Sequence, residues 1–109
     1  MNKGDIWLVN LPRSDGHEQT GARPAVILAE LANVRMAVIV PFTTNLKAAT
    51  ASFSTVVQPN SRNGLVSQSV ALIGQIRATD KKRLIRPLGL LDPTDLTAID
   101  TQLKAMLQL

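Results

Sequence analysis

The apolar residues of this chain arrive in short runs, most of them too brief and too rich in β-branched side chains to be helices. Pro24–Ala29 (PAVILA) and Arg35–Phe42 (RMAVIVPF) are dominated by Val and Ile, which suit a pleated surface, and read as buried strands. Asp5–Asn10 is another β-prone run, ended by Pro12. Phe53–Gln58, Ser69–Arg77 and Leu84–Leu90 complete the set. In Ser69–Arg77, Val70, Leu72 and Ile76 take one face, the polar Ser69 and Gln75 take the other, and Gly74 marks a bulge or bend. Leu84–Leu90 contains Pro87 and reads as an edge strand. Glu30–Asn33 and Thr79–Arg83 read as turns, and Asn63-Gly64 suits a tight turn through its tolerance of positive φ.

Helical spacing is confined to the C-terminal segment. Asp92-Pro93 supplies an N-cap and a proline at the first helical position, and Asp95 stands in the first turn, where the helix dipole favours a carboxylate. Leu96, Ile99, Leu103 and Met106 then form one apolar stripe. Five or six short strands and a terminal helix within 109 residues predict a single domain over residues 1–109. It is mainly β: a small antiparallel, barrel-like sheet with the helix packed across it, and long loops at the strand ends.

Composition removes several function classes. There is no cysteine, so no disulfide scaffold, zinc finger or thiol nucleophile. The single histidine excludes a multi-histidine metal site and a two-histidine acid/base pair. No metal and no cofactor are expected. No apolar run approaches the ~20 residues of a membrane-spanning helix, and Asp5 interrupts the first apolar stretch where a signal peptide would need its core. The expected address is the cytoplasm, with no membrane partner.

The net charge of +4 is unevenly spread. Residues 35–91 hold eight basic side chains (Arg35, Lys47, Arg62, Arg77, Lys81, Lys82, Arg83, Arg86) against Asp80 alone, and the two flanks together are acidic. A basic middle favours an anionic partner, nucleic acid or an acidic peptide, although a generically solvated basic surface has the same composition. Arginines outnumber lysines, and guanidinium binds phosphate bidentately. Only Trp7, Phe42 and Phe53 are aromatic, too few for a base-stacking platform.

Residues 12–23 (PRSDGHEQTGAR) form a long polar loop containing Gly16 and Gly21, and loops of that length in small domains are often functional. At its end Arg23 precedes Pro24, which keeps it out of the α region and extended at the mouth of a buried strand. Such an arginine meets a phosphate, caps the strand end or pairs with Glu18. Thr43 and Thr44 follow the next strand; their hydroxyls suit a phosphate oxygen or a ribose 2′-OH, or satisfy local backbone groups. Ser69, Gln75 and Arg77 share one predicted strand and line a groove if they face the same way. His17 beside Glu18 is either an acid/base pair or an exposed loop histidine.

Four blocks, GDIWLVNL, GHEQTGARPAVIL, VIVPFTTN and SVALIGQIRATDKKRL, occur in this order from about Gly4 to Leu84 and resemble the MazF/PemK family of toxin endoribonucleases. The resemblance implies an SH3-like barrel of the Kid/PemK/CcdB type, a homodimer, and metal-independent cleavage of single-stranded RNA to 2′,3′-cyclic phosphate and 5′-hydroxyl ends. It also implies neutralisation by a cognate antitoxin, expected to be an acidic MazE-like segment. Arg23 falls on the family's catalytic arginine and Thr43 on its catalytic threonine. Glu18 and Gln19 fall on the substrate loop, and Ser69 and Gln75 on the polar pair of the SxxLxxQIR strand, implying RNA contact or support of the site. His17 departs from the small residue common there, and the short start at Gly4 lacks the extra basic residue of many relatives. The expected chemistry is electrostatic stabilisation of the phosphorane by Arg23, with Thr43 as a neutral donor; the general base stays open between Glu18, His17 and Arg23. A CcdB-like gyrase-binding toxin and a non-catalytic nucleic-acid-binding barrel are the alternatives.

Overall fold

The computed structural model describes residues 1–12, 16 and 18–109. Seven strands are present: β1 (Asp5–Leu11), β2 (Gly21–Leu31), β3 (Met36–Thr43), β4 (Ser54–Val57), β5 (Ser69–Leu72), β6 (Arg77–Asp80) and β7 (Leu84–Leu90), followed by the helix α1 (Pro93–Leu107). All pairings are antiparallel, in the order β4-β5-β3-β2-β1-β7, with β6 also on β3. The architecture is the expected one, mainly β with a C-terminal helix.

The central strands explain why the sequence reads there as unbroken apolar runs rather than alternation. On β2, Val26 and Leu28 enter one core cluster with Ile6, Val40, Phe42 and Ile99, while Ala25 and Ile27 enter a second with Val9, Leu11, Ala37 and Ile39. The sheet is therefore buried on both faces at its centre, which antiparallel sheets achieve only when both sides are covered. Helix α1 covers the first side, with Ile99 fully buried and Leu96, Leu103 and Met106 packed around it. Full burial of a side chain of that size contributes about 1.5–3 kcal/mol.

Three expectations need correction. Ser69–Arg77 is not one strand. Both β5 and β6 lie along the same edge of β3, but a 3₁₀ turn at Ile73–Gln75 separates them, and the register on β3 shifts by its three residues. Gly74, with no side chain to pack, sits at that break. Secondly, the expected turns are shorter than the sequence suggests. β2 continues to Leu31 because Glu30 and Leu31 find partners in Ala37 and Met36, and Thr79 and Asp80 pair with Ala37 and Met36 as part of β6. Thirdly, Asp92 occupies the N-cap position of α1 but its side chain does not cap. Its carboxylate instead receives Asn60 Nδ2 at 3.0 Å and lies 3.3 Å from Arg62 Nη1. Burial, with the nearby Asp92 charge, pushes the Asp95 carboxyl above its ordinary value, opposing the favourable dipole.

The segment that Asp92 anchors is organised by a buried amide. Asn63, 0% exposed, accepts from the N–H groups of Asn60 and Leu65 and donates to the carbonyl of Gln58. Gly64 follows with φ +70°, as the Asn-Gly pair foretells.

Candidate active site

Strand register brings the sequence-selected residues together. Ala25 pairs with Pro41 at that end of the β2–β3 ladder, with Arg23 two residues before Ala25 and Thr43 two residues after Pro41. Thr43 pairs on its other side with Val70, which places Ser69 at the same end of the sheet. By alternation, Arg23 shares a face with Ala25 and Ile27, and Thr43 with Pro41 and Ile39. Thr43 thus ends β3 directly after its core residues, and Arg23 stands near the start of β2, just before the strand enters the core at Ala25.

Here lies a pocket of about 180 Å³ walled by Ala22, Arg23, Pro24, Phe42, Thr43, Thr44 and Ser69. It is below the roughly 300–1,000 Å³ of common small-molecule sites, and suits a phosphate with part of one sugar better than a whole cofactor. Arg23 is half-buried, and its Nε donates to the Thr20 carbonyl at 2.8 Å. That bond fixes the plane of the guanidinium and leaves the terminal Nη groups as its donors for a ligand. Thr43 is 6% exposed, and its Oγ1 accepts from the Asn45 N–H at 3.2 Å, so the hydroxyl proton remains to be donated. Ser69, also buried, gives its proton to the Ser67 carbonyl at 2.9 Å and keeps acceptor capacity only. Thr44 is exposed at the rim.

Four of the residues singled out in the sequence, Arg23, Thr43, Thr44 and Ser69, therefore wall one pocket. Gln75 and Arg77 are not in its wall. They bond instead to the backbone of Gln19 in the loop before Arg23. Glu18 is exposed on that loop, and His17 lies outside the described residues. Sequence reasoning missed Thr20 and Asn45, whose backbone groups orient Arg23 and Thr43. Asn45 carries a readable signal, since its side chain accepts from the Lys47 N–H two residues on, the habit of asparagine at turns. Thr20 carries none.

A larger cavity of about 490 Å³ lies at the β2–β3 hairpin tip, lined by Glu30, Leu31, Ala32, Asn33 and Val34. It is at the far end of β2 from Arg23, roughly 23 Å along the strand at ~3.3 Å per residue. Its one charged group, Glu30, is bonded to Lys81, which holds the Glu30 carboxyl below its ordinary range. Size alone does not make it the site, because Asn33 is the one polar side chain in its lining besides the committed Glu30. Among the described residues, no three His, Cys, Asp or Glu side chains gather as a metal site would require.

Fold and pocket together define a small antiparallel β protein that presents a fixed guanidinium and a cluster of hydroxyls at one end of its sheet, an anion-binding arrangement. The chain belongs to the family described as PemK-like, MazF-like toxins of type II toxin-antitoxin systems, whose model matches residues 2–107. It is 32% identical to endoribonuclease MazF9 of Mycobacterium tuberculosis over all of this chain and 98% of that protein. The fold is that of MazF from Deinococcus radiodurans, with a TM-score of 0.83 at 24% identity, over 100% of this chain and 97% of that one. An endoribonuclease of a mycobacterial species, solved in complex with its cognate antitoxin, is also similar: TM-score 0.70, 23% identity, covering 98% and 94% of the two chains.

Proposed function

We propose that this protein is an endoribonuclease toxin that cuts single-stranded RNA without a metal ion. The 2′-oxygen attacks the adjacent phosphorus, the bond to the 5′-oxygen breaks, and the ends are a 2′,3′-cyclic phosphate and a 5′-hydroxyl. The observation that carries this reading is the shared pocket: Arg23 and Thr43 face one phosphate-sized space, each held by a backbone hydrogen bond. Negative charge grows on the non-bridging oxygens as the phosphorane forms. Two guanidinium donors on those oxygens lower the barrier, because they are already oriented before the reaction begins. The Thr43 hydroxyl adds a neutral donor. The proton released by the 2′-OH goes to Glu18, His17 or Arg23, and the departing 5′-oxygen takes up a proton in turn. Ser69, with its proton committed, supports the wall and accepts from the substrate.

Family membership supports a cognate antitoxin, for which an acidic segment that orders on the basic surface is the complementary partner. A homodimer and a cytoplasmic location complete the proposal. The test is cleavage of synthetic single-stranded RNA in EDTA, with end-group analysis. Arg23→Ala is expected to lower the rate by about 10²–10³-fold, on the order of 3–4 kcal/mol. Undiminished cleavage by that variant refutes the assignment, and gyrase poisoning without RNA cutting would move the protein to the CcdB-like class.

A further inference from the structure

The Gln19 peptide is gripped on both sides. Its N–H donates to Gln75 Oε1 at 2.7 Å, and its carbonyl accepts from Arg77 Nη2 at 2.5 Å. One residue later, the Thr20 carbonyl accepts from Arg23 Nε. Gln75 ends the 3₁₀ turn and Arg77 opens β6, where it pairs with Ile39 of β3. Four residues beyond Ile39, β3 delivers Thr43. Both polar groups of the pocket are thereby referenced to one strand: Thr43 directly, and Arg23 through β6, Gln19 and Thr20.

Arg77 is half-buried and its Nε is enclosed, as is Oε1 of Gln19; neither atom has a hydrogen-bond partner among the described residues. A guanidinium spent on a loop carbonyl, with its Nε shut away from water, is poorly placed to meet a polyanion. We infer that Gln75 and Arg77 are positioning residues that latch the Gln19 peptide and act on the phosphate through Arg23, instead of contacting RNA. This inference rests on the proposed nuclease reading. Without the latch, Gln19 and Thr20 shift, the Arg23 guanidinium loses the carbonyl that sets its plane, and the preorganised donors misalign. A displacement of about 1 Å at a reacting group costs about 100-fold in rate.

Arg77→Met removes the donors at similar bulk, and Gln75→Ala removes the other half of the grip should the first variant fail to fold. Each is expected to lower kcat by about 10–100-fold with KM within about threefold, and to leave the salt dependence of RNA binding unchanged. In an Arg23→Ala background, the same substitutions are expected to cost less than about threefold more, because they act through the group already removed. Amide exchange at Gln19 should quicken in both latch variants. Fully additive losses, a rise in KM alone, or a salt slope reduced by about one, as a phosphate contact would give, overturns the inference while leaving the nuclease reading intact. A wild-type protein that cuts no RNA overturns both.

Discussion

Asn63 offers a measurement in which stability and chemistry separate. Its amide makes three hydrogen bonds to backbone groups and is 0% exposed. In Asn63→Ala, the Leu65 N–H is buried without a partner, a loss of about 1–3 kcal/mol. The Asn60 N–H and Gln58 carbonyl lie on exposed residues that water reaches, so each costs about 0.5–1.5 kcal/mol. The total is about 4 kcal/mol, within a range of about 2–6, against a whole-protein stability of roughly 5–15 kcal/mol. Urea titration followed by Trp7 fluorescence would show a lower midpoint at unchanged slope, and heating would show a fall in Tm of roughly 15 °C. Asn60→Ala removes the other half of the same network, because its side chain accepts from the Arg62 and Asn63 N–H groups and donates to Asp92. By the same reasoning it is expected to cost about 2–6 kcal/mol. Because the segment lies outside the pocket, RNA cleavage per folded molecule should match wild type in both. A destabilisation below about 1 kcal/mol in Asn63→Ala would refute the claim that this amide organises the segment.

Other expectations follow from single contacts. A Cβ at Gly89 would lie 2.2 Å from the Arg62 carbonyl oxygen, so Gly89→Ala should cost at least about 2–3 kcal/mol by urea titration. Gly21→Ala, with φ +80° but nothing within 4 Å, should cost only about 1–2 kcal/mol, so the pair separates collision from backbone strain. Ile99→Ala should remove about 2–5 kcal/mol by undocking α1 from the core, read in the same titration. The Lys81 hydrogen bond lowers the Glu30 carboxyl below its ordinary value of 4.5, so the folded state binds the proton less tightly than the unfolded chain. That contribution is fully present above about pH 4.5 and fades as pH falls through the folded value. The Tm gap between wild type and Glu30→Gln should therefore close on acidification, and a gap that widens would refute the pairing.

The strands were legible where local chemistry and tertiary demand agree. PAVILA and RMAVIVPF are apolar at every parity because β2 and β3 are covered on both sides, so no misreading of phase was available. Arg23 and Thr43 were legible for a related reason: Pro24 and the end of an apolar run mark where buried strands meet solvent. The roles of Gln75 and Arg77 were not legible. Reading Ser69–Arg77 as one strand carries a two-residue period straight through Gly74 and aims all three polar residues at a groove. Three residues of 3₁₀ turn break that phase and deliver Gln75 and Arg77 to the Gln19 backbone instead. Asp92 illustrates a different limit. Its place before Pro93 fits a helix cap, but a carboxylate within reach of Arg62 and Asn60 has a stronger attraction elsewhere, and no local pattern reports a partner thirty residues away.

Strand β2 has no solvent-facing side through its middle, and this bears on how such a molecule tolerates change. The hairpin tip beyond Leu31 can lengthen, shorten or swap side chains far from the guanidinium, whereas the loop that enters β2 cannot, because its Thr20 carbonyl orients Arg23.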